Sequence, residues 1–378
     1  ADSRAMRVLQ VGKFYPPDPG GVETATRQAV EQLLACGAAV EVLCFAGPGL
    51  YDDAGAPCPV HRAPVWRSIA SQPLSPAYLA AFARLAPRFD VLHIHLPNPL
   101  AALAAFLARP RGRVALTWHS DVIGKGALAA LVGPLEAWLC RRADLVVAPS
   151  PVHLAASNRA ALFTGKGAVV PFCVDASMAR PQDAAPAAVA AVRARFDDRP
   201  LVFALGRLVS YKGFDVLIDA AAKLPANVDV AIGGAGPLQG ALAARIAAAG
   251  LTDRVSLPGR IADADLAAWL AACDVFCLPS VSRAEMFGIV QLEAMAGGKP
   301  VVATDIPGSG VPWVNRHGET GLVVPPGDAD ALADALGALL ADPALRVRLG
   351  QGGRDAVAGR FSPRAVGKAL ADAYARLA

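Results

Sequence analysis

One feature constrains this chain more than any other: a short apolar, β-rich run, a loop, and a stretch with apolar residues at helical spacing, repeated many times. Residues 7–11 form the first such run, and a loop holding Pro16, Pro17, Pro19, Gly20 and Gly21 follows. Apolar positions 22, 25, 29, 30, 33 and 34 then keep a helical period, and Gly37 suits the C-terminal cap of that helix. Residues 40–45, 91–95, 114–118 and 145–148 are further β-rich runs. Such alternation predicts parallel strands with helices on both faces of the sheet.

The character changes between residues 176 and 200. Pro181, Ala184, Ala185 and Pro186 are followed by Arg193, Arg195, Asp197 and Asp198, which reads as a linker with a short helix. A second series begins at residues 201–205 and continues with runs at 228–232, 255–257, 275–278 and 301–303. Residues 362–377 form a last amphipathic helix, with Ser362 as N-cap and Pro363 as first helical residue. The expected fold class is therefore α/β: two Rossmann-like, doubly wound domains facing a central cleft. The expected domains are residues 6–175, joined by 360–378, and residues 190–358.

Composition fits this layout and excludes others. A length of 378 residues is enough for about two domains with separate cores. With 54% apolar residues and a net charge of +4, the chain is neither disordered nor a strongly basic nucleic-acid binder. The apolar stretch 96–108 is interrupted by Pro97, Asn98 and Pro99, and 126–140 contains Gly133, Pro134 and Glu136, so neither spans a bilayer. Residues 1–5 read as an added segment before Met6, without a secretory signal pattern. The seven cysteines are scattered through apolar stretches, as expected for reduced, buried thiols in a cytoplasmic protein.

Open α/β sheets bind ligands beyond the carboxyl ends of their strands, so the loops there carry the candidate residues. Gly20 and Gly21 sit between a strand and a helix, where glycines admit a ligand and the helix N-terminus favours a phosphate; a plain structural turn explains them equally. They do not form G-x-G-x-x-G, which argues against a dinucleotide dehydrogenase. Arg207 and Lys212 flank a loop entering a helix and suit a diphosphate. Gly234 lies in Gly233-Gly234-Ala235-Gly236, where close ligand approach and tight strand–helix packing are equal alternatives. Glu285-Met286-Phe287-Gly288 precedes a helix opened by Ile289 and containing Glu293, a carboxylate among apolar neighbours that ribose hydroxyls would satisfy. His119 and Asp121 form a titratable pair after residues 114–118, whereas His93 and His95 alternate along a strand and read as core. Asp263-Ala-Asp265 and Asp328-Ala-Asp330 match a metal–diphosphate pattern, but both open helices, where N-cap and first-turn acids suffice. No protein nucleophile arrangement stands out.

Together, Gly20-Gly21, Thr117-Trp-His-Ser-Asp121, Gly206-Arg207 with Lys212-Gly213, and Glu285-x7-Glu293 resemble glycosyltransferase family 4 along essentially the whole chain from Met6. The resemblance implies a GT-B fold whose final helix crosses back to the first domain. It also implies a retaining, metal-independent transfer from a nucleotide sugar, with no cofactor. Arg207 and Lys212 would neutralise the donor diphosphate, and Glu293 would bind the ribose. Glu285 with the amides of Met286, Phe287, Gly288 and Ile289 would hold the transferred sugar. His119 would approach that sugar from the other domain, Gly20-Gly21 would line the phosphate side, and the Arg260-Ile261 backbone would read the base. Met286 stands where many relatives carry a small residue.

The start Gly-Lys-Phe-Tyr-Pro-Pro, His93-Ile-His-Leu-Pro-Asn-Pro and Trp118-His-Ser-Asp are similar to bacterial polysaccharide-assembly mannosyltransferases. This points to GDP-mannose as donor, with a UDP-sugar as alternative, and to a glycan or polyprenyl-diphosphate-linked acceptor. Arg109, Arg111 and Arg113 beside Phe106-Leu107, and Arg141-Arg142, suit anionic lipid at the inner face of the membrane or simply complement helix C-termini. A nucleotide-sugar epimerase, or a nucleotide-sugar-binding regulator without turnover, are the competing classes.

Overall fold

The computed structural model describes residues 5–18, 20–47, 49, 51–69, 72–121, 126–175 and 178–377, with the backbone alone for 126–131. Pro19, Ala176 and the first four residues, named above, lie outside the described residues. The chain forms two compact units, one of Ala1–Phe172 with Pro363–Ala378 and one of Cys173–Ser362.

The first unit begins with β1 (Arg7–Val11), α1 (Gly21–Ala35), β2 (Ala39–Phe45) and β3 (Val60–Ala63). A small antiparallel hairpin, β4 (Arg67–Ile69) and β5 (Gln72–Leu74), precedes α2 (Pro76–Leu85), β6 (Val91–Leu96) and α3 (Pro99–Ala108). Then come β7 (Arg113–Trp118), α4 (Gly126–Arg142), β8 (Leu145–Ala148), α5 (Pro151–Ala155) and β9 (Gly167–Val169). Seven parallel strands lie in the order β3-β2-β1-β6-β7-β8-β9, so the order reverses between β1 and β6.

Strand side chains alternate between faces, and each face has its own cover. Leu9, Val11, Leu92, Ile94, Leu116 and Trp118 pack against Tyr78, Phe82 and Leu85 of α2, the alanines of α3 and Leu139 of α4. Val8, Val42, Val91, Ala115 and Val147 face Val30 and Leu33 of α1. The same face is covered by Leu370, Ala373 and Tyr374 of the last helix, Pro363–Tyr374. Full cover on both faces explains the near-continuous apolar strands. Among the described residues no helix is long and apolar enough to cross a membrane.

The second unit contains α6 (Pro186–Ala194), β10 (Leu201–Leu205), α7 (Phe214–Ala221), β11 (Asp229–Gly233), α8 (Gln239–Ala248), β12 (Val255–Gly259) and α9 (Asp263–Ala272). It continues with β13 (Val275–Leu278), α10 (Ile289–Ala296), β14 (Val301–Thr304), α11 (Val311–Val314), β15 (Gly321–Val324), α12 (Ala329–Ala341) and α13 (Pro343–Gly359). The helix Pro363–Tyr374 is then α14. Six parallel strands run β12-β11-β10-β13-β14-β15, and the order reverses between β10 and β13.

Three readings change. The stretch read as a linker belongs to the second unit: Arg193 of α6 pairs with Asp274 at 3.0 Å, and Pro181 packs against Gly297. The second unit therefore starts at Cys173 rather than at residue 190. Cys36, expected to be buried, is exposed, while the other six thiols are buried.

Candidate active site

In the second unit, backbone hydrogen bonds stitch the loops at the carboxyl end of the sheet into one surface. Gly206 N–H donates to Gly233 C=O at 3.1 Å, Leu208 N–H to Ala235 C=O at 3.0 Å, and Gly234 N–H to Gly259 C=O at 2.8 Å. Val281 N–H donates to Tyr211 C=O at 2.8 Å, joining the loop after β13 to the loop after β10. These two loops leave the sheet where its strand order reverses, the place where open α/β sheets form ligand crevices.

Lys212 and Glu285 meet there. Lys212 Nζ lies 2.5 Å from Glu285 Oε2, and the Ser280 hydroxyl donates to the same oxygen at 3.0 Å. The pair is nearly shielded, with the two side chains 12% and 11% exposed. Arg207, on the same loop as Lys212, is exposed. The Glu285 loop is braced by Ser309, whose hydroxyl donates to Glu285 C=O at 2.5 Å, and by Gly310 N–H, which donates to Met286 C=O at 2.7 Å. Phe287 is buried against Trp313 and Phe361, which anchors the loop from below.

Gly288 turns the chain into α10. Its φ of 71° lies in the left-handed region, and a Cβ would sit 2.5 Å from Leu278 Cδ2, so only glycine fits. Ile289 opens the helix, whose first turn directs N–H groups and the positive dipole end past Met286–Gly288. Glu293, one turn further, accepts Ala179 N–H at 2.9 Å. Burial pushes its carboxyl up to about 7, opposed by that N–H and reinforced by Asp263 and Asp175.

The glycine loop after β11 resolves towards packing. A Cβ on Gly234 would lie 1.8 Å from Gly206 C=O, and one on Gly236 would lie 2.5 Å from Leu208 C=O. Ile261 packs over Gly233, and Arg260 is exposed beside it. Of the two D-x-D sequences, Asp328 is the N-cap of α12, accepting Ala331 N–H at 2.9 Å, and Asp330 pairs with Lys223. Asp263 is the first residue of α9 rather than its cap, which is Ala262. No cluster able to hold a metal is found among the described residues.

In the first unit, Gly20 is the N-cap of α1, and the Glu23 carboxylate folds back so that a Cβ on Gly20 would lie 2.1 Å from Glu23 Oε2. Burial raises the Glu23 carboxyl, and Lys13 opposes the shift. The loop before Gly20 is held by Arg62, which the motif reading missed. Its guanidinium donates to Pro16 C=O at 2.7 Å and grips Asp53 through two bonds of 2.9 Å. An isolated Arg in a short edge strand carries no signal for such a clamp.

His119 and Asp121 do not act as a pair. Asp121 accepts the Ser157 hydroxyl at 2.7 Å and Asn158 N–H at 3.1 Å. His119 turns the other way, with its Nε2 3.0 Å from His95 Nδ1 and its ring stacked near Phe172. Burial lowers its imidazole to about 4, so it is neutral at pH 7. His93 and His95 are core residues as expected, but polar ones, bonded to Gln10, Thr117 and Tyr374.

Comparison with known proteins places both halves. Residues 189–356 match the family described as "Glycosyl transferases group 1", and residues 20–173 match "Glycosyl transferase 4-like domain". The chain is 30% identical to the O-antigen chain mannosyltransferase C of Escherichia coli, over 98% of each chain. It is 34% identical to the D-rhamnosyltransferase WbpZ of Pseudomonas aeruginosa, over 88% of this chain and 86% of the relative. HepE of Anabaena, solved in complex with UDP, shares the fold with a TM-score of 0.78 at 24% identity, covering 98% of this chain and all of that one. The two parallel-sheet Rossmann-like units of the present chain are those of the GT-B architecture, and the chain belongs to the group 1 glycosyltransferases, family 4.

Proposed function

We propose that this glycosyltransferase moves mannose from GDP-mannose, with retention and without a metal, to a glycan or polyprenyl-diphosphate-linked acceptor in bacterial surface-polysaccharide synthesis. One observation carries the reading: Lys212, on the loop that also carries Arg207, meets Glu285 just ahead of α10, where the second sheet reverses its strand order. The name of the Escherichia coli relative, an O-antigen chain mannosyltransferase, supports the sugar and the pathway class, while that of the Pseudomonas aeruginosa relative names a different sugar, D-rhamnose.

In the proposed reaction the acceptor oxygen bonds to the anomeric carbon on the face from which the diphosphate leaves. The departing phosphate oxygen takes the acceptor's proton, so no protein nucleophile is required. Arg207 and Lys212 stabilise the charge that develops on the leaving group, the role that preorganised cations perform best. Lys212 exchanges its Glu285 partner for the diphosphate, and Glu285 turns to a sugar hydroxyl with the amides of residues 286–289. Glu293 accepts ribose hydroxyls, and the Arg260-Ile261 backbone lies along the base. His119 accepts a hydrogen bond from the sugar. Gly20-Gly21 line the phosphate side, and Asp121 holds the turn beyond His119.

The proposal extends to location. Leu107 is 63% exposed beside Phe106, and the Arg109 guanidinium lies 5.9 Å from the Phe106 ring. Arg113 and Arg142 are committed to Asp144, so Arg109 and Arg111 form the basic part of a peripheral contact with anionic lipid.

The test is a thermal-shift comparison of GDP and UDP, followed by a transfer assay with GDP-mannose and polyprenyl-diphosphate glycans in EDTA. Stabilisation by GDP and EDTA-resistant mannose transfer are expected. A UDP-specific shift with no mannose transfer sinks the donor assignment.

A further inference from the structure

A run of polar side chains crosses the apolar interior of the first unit, and the transfer chemistry leaves it unused. Gln10 of β1, His93 and His95 of β6, Thr117 of β7 and Tyr374 of α14 are all buried on the face covered by α1 and α14. Val8, Val42, Val91, Ala115 and Leu370 surround them. Polar groups in such a place are costly unless every donor meets an acceptor.

The strand register builds the run. Gln10 lies opposite His93, and His95 lies opposite Thr117 in the neighbouring strand. The His93 and His95 rings stack at 5.1 Å, and the His95 and His119 rings at 5.2 Å. His95 Nε2 lies 2.7 Å from Gln10 Oε1, and His119 Nε2 lies 3.0 Å from His95 Nδ1. At the other end, His93 Nδ1 lies 2.6 Å from the Tyr374 hydroxyl and 3.2 Å from Gln10 Nε2, while His93 Nε2 lies 2.6 Å from Thr117 Oγ1.

Donor and acceptor accounting gives the run a direction. An amide oxygen only accepts, so His95 carries its proton on Nε2 and gives it to Gln10. A neutral imidazole has one N–H, which leaves His95 Nδ1 bare and able to accept from His119 Nε2–H. Burial keeps the rings neutral, with His93 lowered to about 3, His119 to about 4 and His95 well below its ordinary value. Turning the Gln10 amide over reverses the links through His95 to His119, so one side chain in β1 sets the proton position in a residue after β7.

We infer that Gln10 and His95 are positioning residues that hold His119 as its Nε2–H tautomer, with Nδ1 presented as a fixed hydrogen-bond acceptor for a hydroxyl of the bound sugar. This rests on the reading that His119 contacts the transferred sugar. A free imidazole populates both tautomers and rotates; the stack and the bonded chain remove that freedom before the ligand arrives, which is preorganisation of an acceptor. A hydroxyl can donate or accept, so a bare Nδ1 fixes the sugar hydroxyl as the donor, whereas the opposite tautomer would make that hydroxyl the acceptor.

The test uses the whole chain labelled with 15N-histidine. Long-range 1H–15N correlation at pH 7, with His119 assigned through H119N, is expected to show the His119 proton on Nε2 and a bare Nδ1. A proton on Nδ1 overturns the inference, and that measurement needs no variant to fold beyond the assignment. Gln10→Met should mix the two His119 tautomers and lower kcat by about 10- to 100-fold with little change in donor KM. An unmixed tautomer in a folded Gln10→Met overturns the role of Gln10. His119→Ala tests the underlying reading by itself: a wild-type rate there removes His119 from the site whichever nitrogen carries its proton. Reduced turnover together with an Nδ1–H ring leaves the reading standing and ends the inference.

Discussion

Lys212 and Glu285 pair at 2.5 Å, so a diphosphate that recruits Lys212 competes with a carboxylate for it. Removing that competitor has opposite effects on two steps. Glu285→Gln should tighten nucleoside diphosphate binding roughly fivefold, about 1 kcal/mol, because Lys212 no longer gives up an ionic partner. The same variant should slow transfer, since the sugar loses its carboxylate. Calorimetric titration with the nucleoside diphosphate reads the first effect, and weaker binding would show that Glu285 orients Lys212 rather than competing for it. Glu293 makes a different prediction. Its carboxyl is pushed up to about 7 by burial, and ribose hydroxyls donating to it favour the charged form. Binding therefore lowers its pKa and releases a proton near pH 6.5, and affinity falls as pH drops below 7. Titrations in buffers of different ionisation enthalpy measure the release. It should exceed that of Glu293→Gln, which subtracts the phosphate's own titration; equal release in both removes Glu293 from the ribose.

At the scale of elements, Gly234 shows how the loops constrain each other. With a Cβ it would meet Gly206 C=O at 1.8 Å, and its N–H is committed to Gly259 C=O. Gly234→Ala must push apart the loops after β10 and β11. A cost of about 2 kcal/mol or more is expected from overpacking against backbone, read as a lower denaturation midpoint of the second unit. An unchanged midpoint would mean that the loop yields freely. The elements most legible in the sequence were those buried on both faces: β1, β8, β10 and β13 lie at the residues their apolar runs marked. Three of the four edge strands were not legible: Val60–Ala63 carries His61 and Arg62, Gly167–Val169 is three residues long, and Gly321–Val324 is a run of four that begins at a glycine, whereas the fourth, β12, was marked by residues 255–257. Helix α6 reads as a short helix within a linker; what ties it to the second unit is the pairing of Arg193 with Asp274, 81 residues away. The site follows the same rule. Lys212 and Glu285 were each visible as loop residues after a strand, but their contact depends on strand order, which no local pattern encodes. The placement of His93 and His95 in the core follows from alternation, yet their partners Gln10 and Tyr374 lie 83 and 281 residues away.

For the molecule as a whole, the two units should answer acid with opposite signs. The first unit holds His93, His95, His119 and His153 neutral by burial, with His93 and His153 lowered to about 3 and His119 to about 4. Unfolding lets these rings return to about 6.5 and bind protons, so the stability they contribute is complete above pH 6.5 and is lost as pH falls towards their folded values. Between pH 6.5 and 5 each ring contributes a loss of up to about 2 kcal/mol. Glu23 and Glu136, whose carboxyls are raised by burial, oppose this, two groups against four. In the second unit the raised carboxyls are Glu293 and Asp229, again through burial. A raised carboxyl binds its proton more tightly in the folded state, so the cost of Glu293 is present above pH 7 and relieved as pH falls from 7 to about 4.5. Scanning calorimetry at pH 7 and pH 5 should therefore show one transition moving down steeply and the other holding or rising. Gly234→Ala marks the second-unit transition by lowering it alone. If the transition it marks is the acid-sensitive one, or if both fall in parallel, the buried histidines do not govern acid stability, and the neutral polar run beneath α1 and α14 is not as dry as its burial requires.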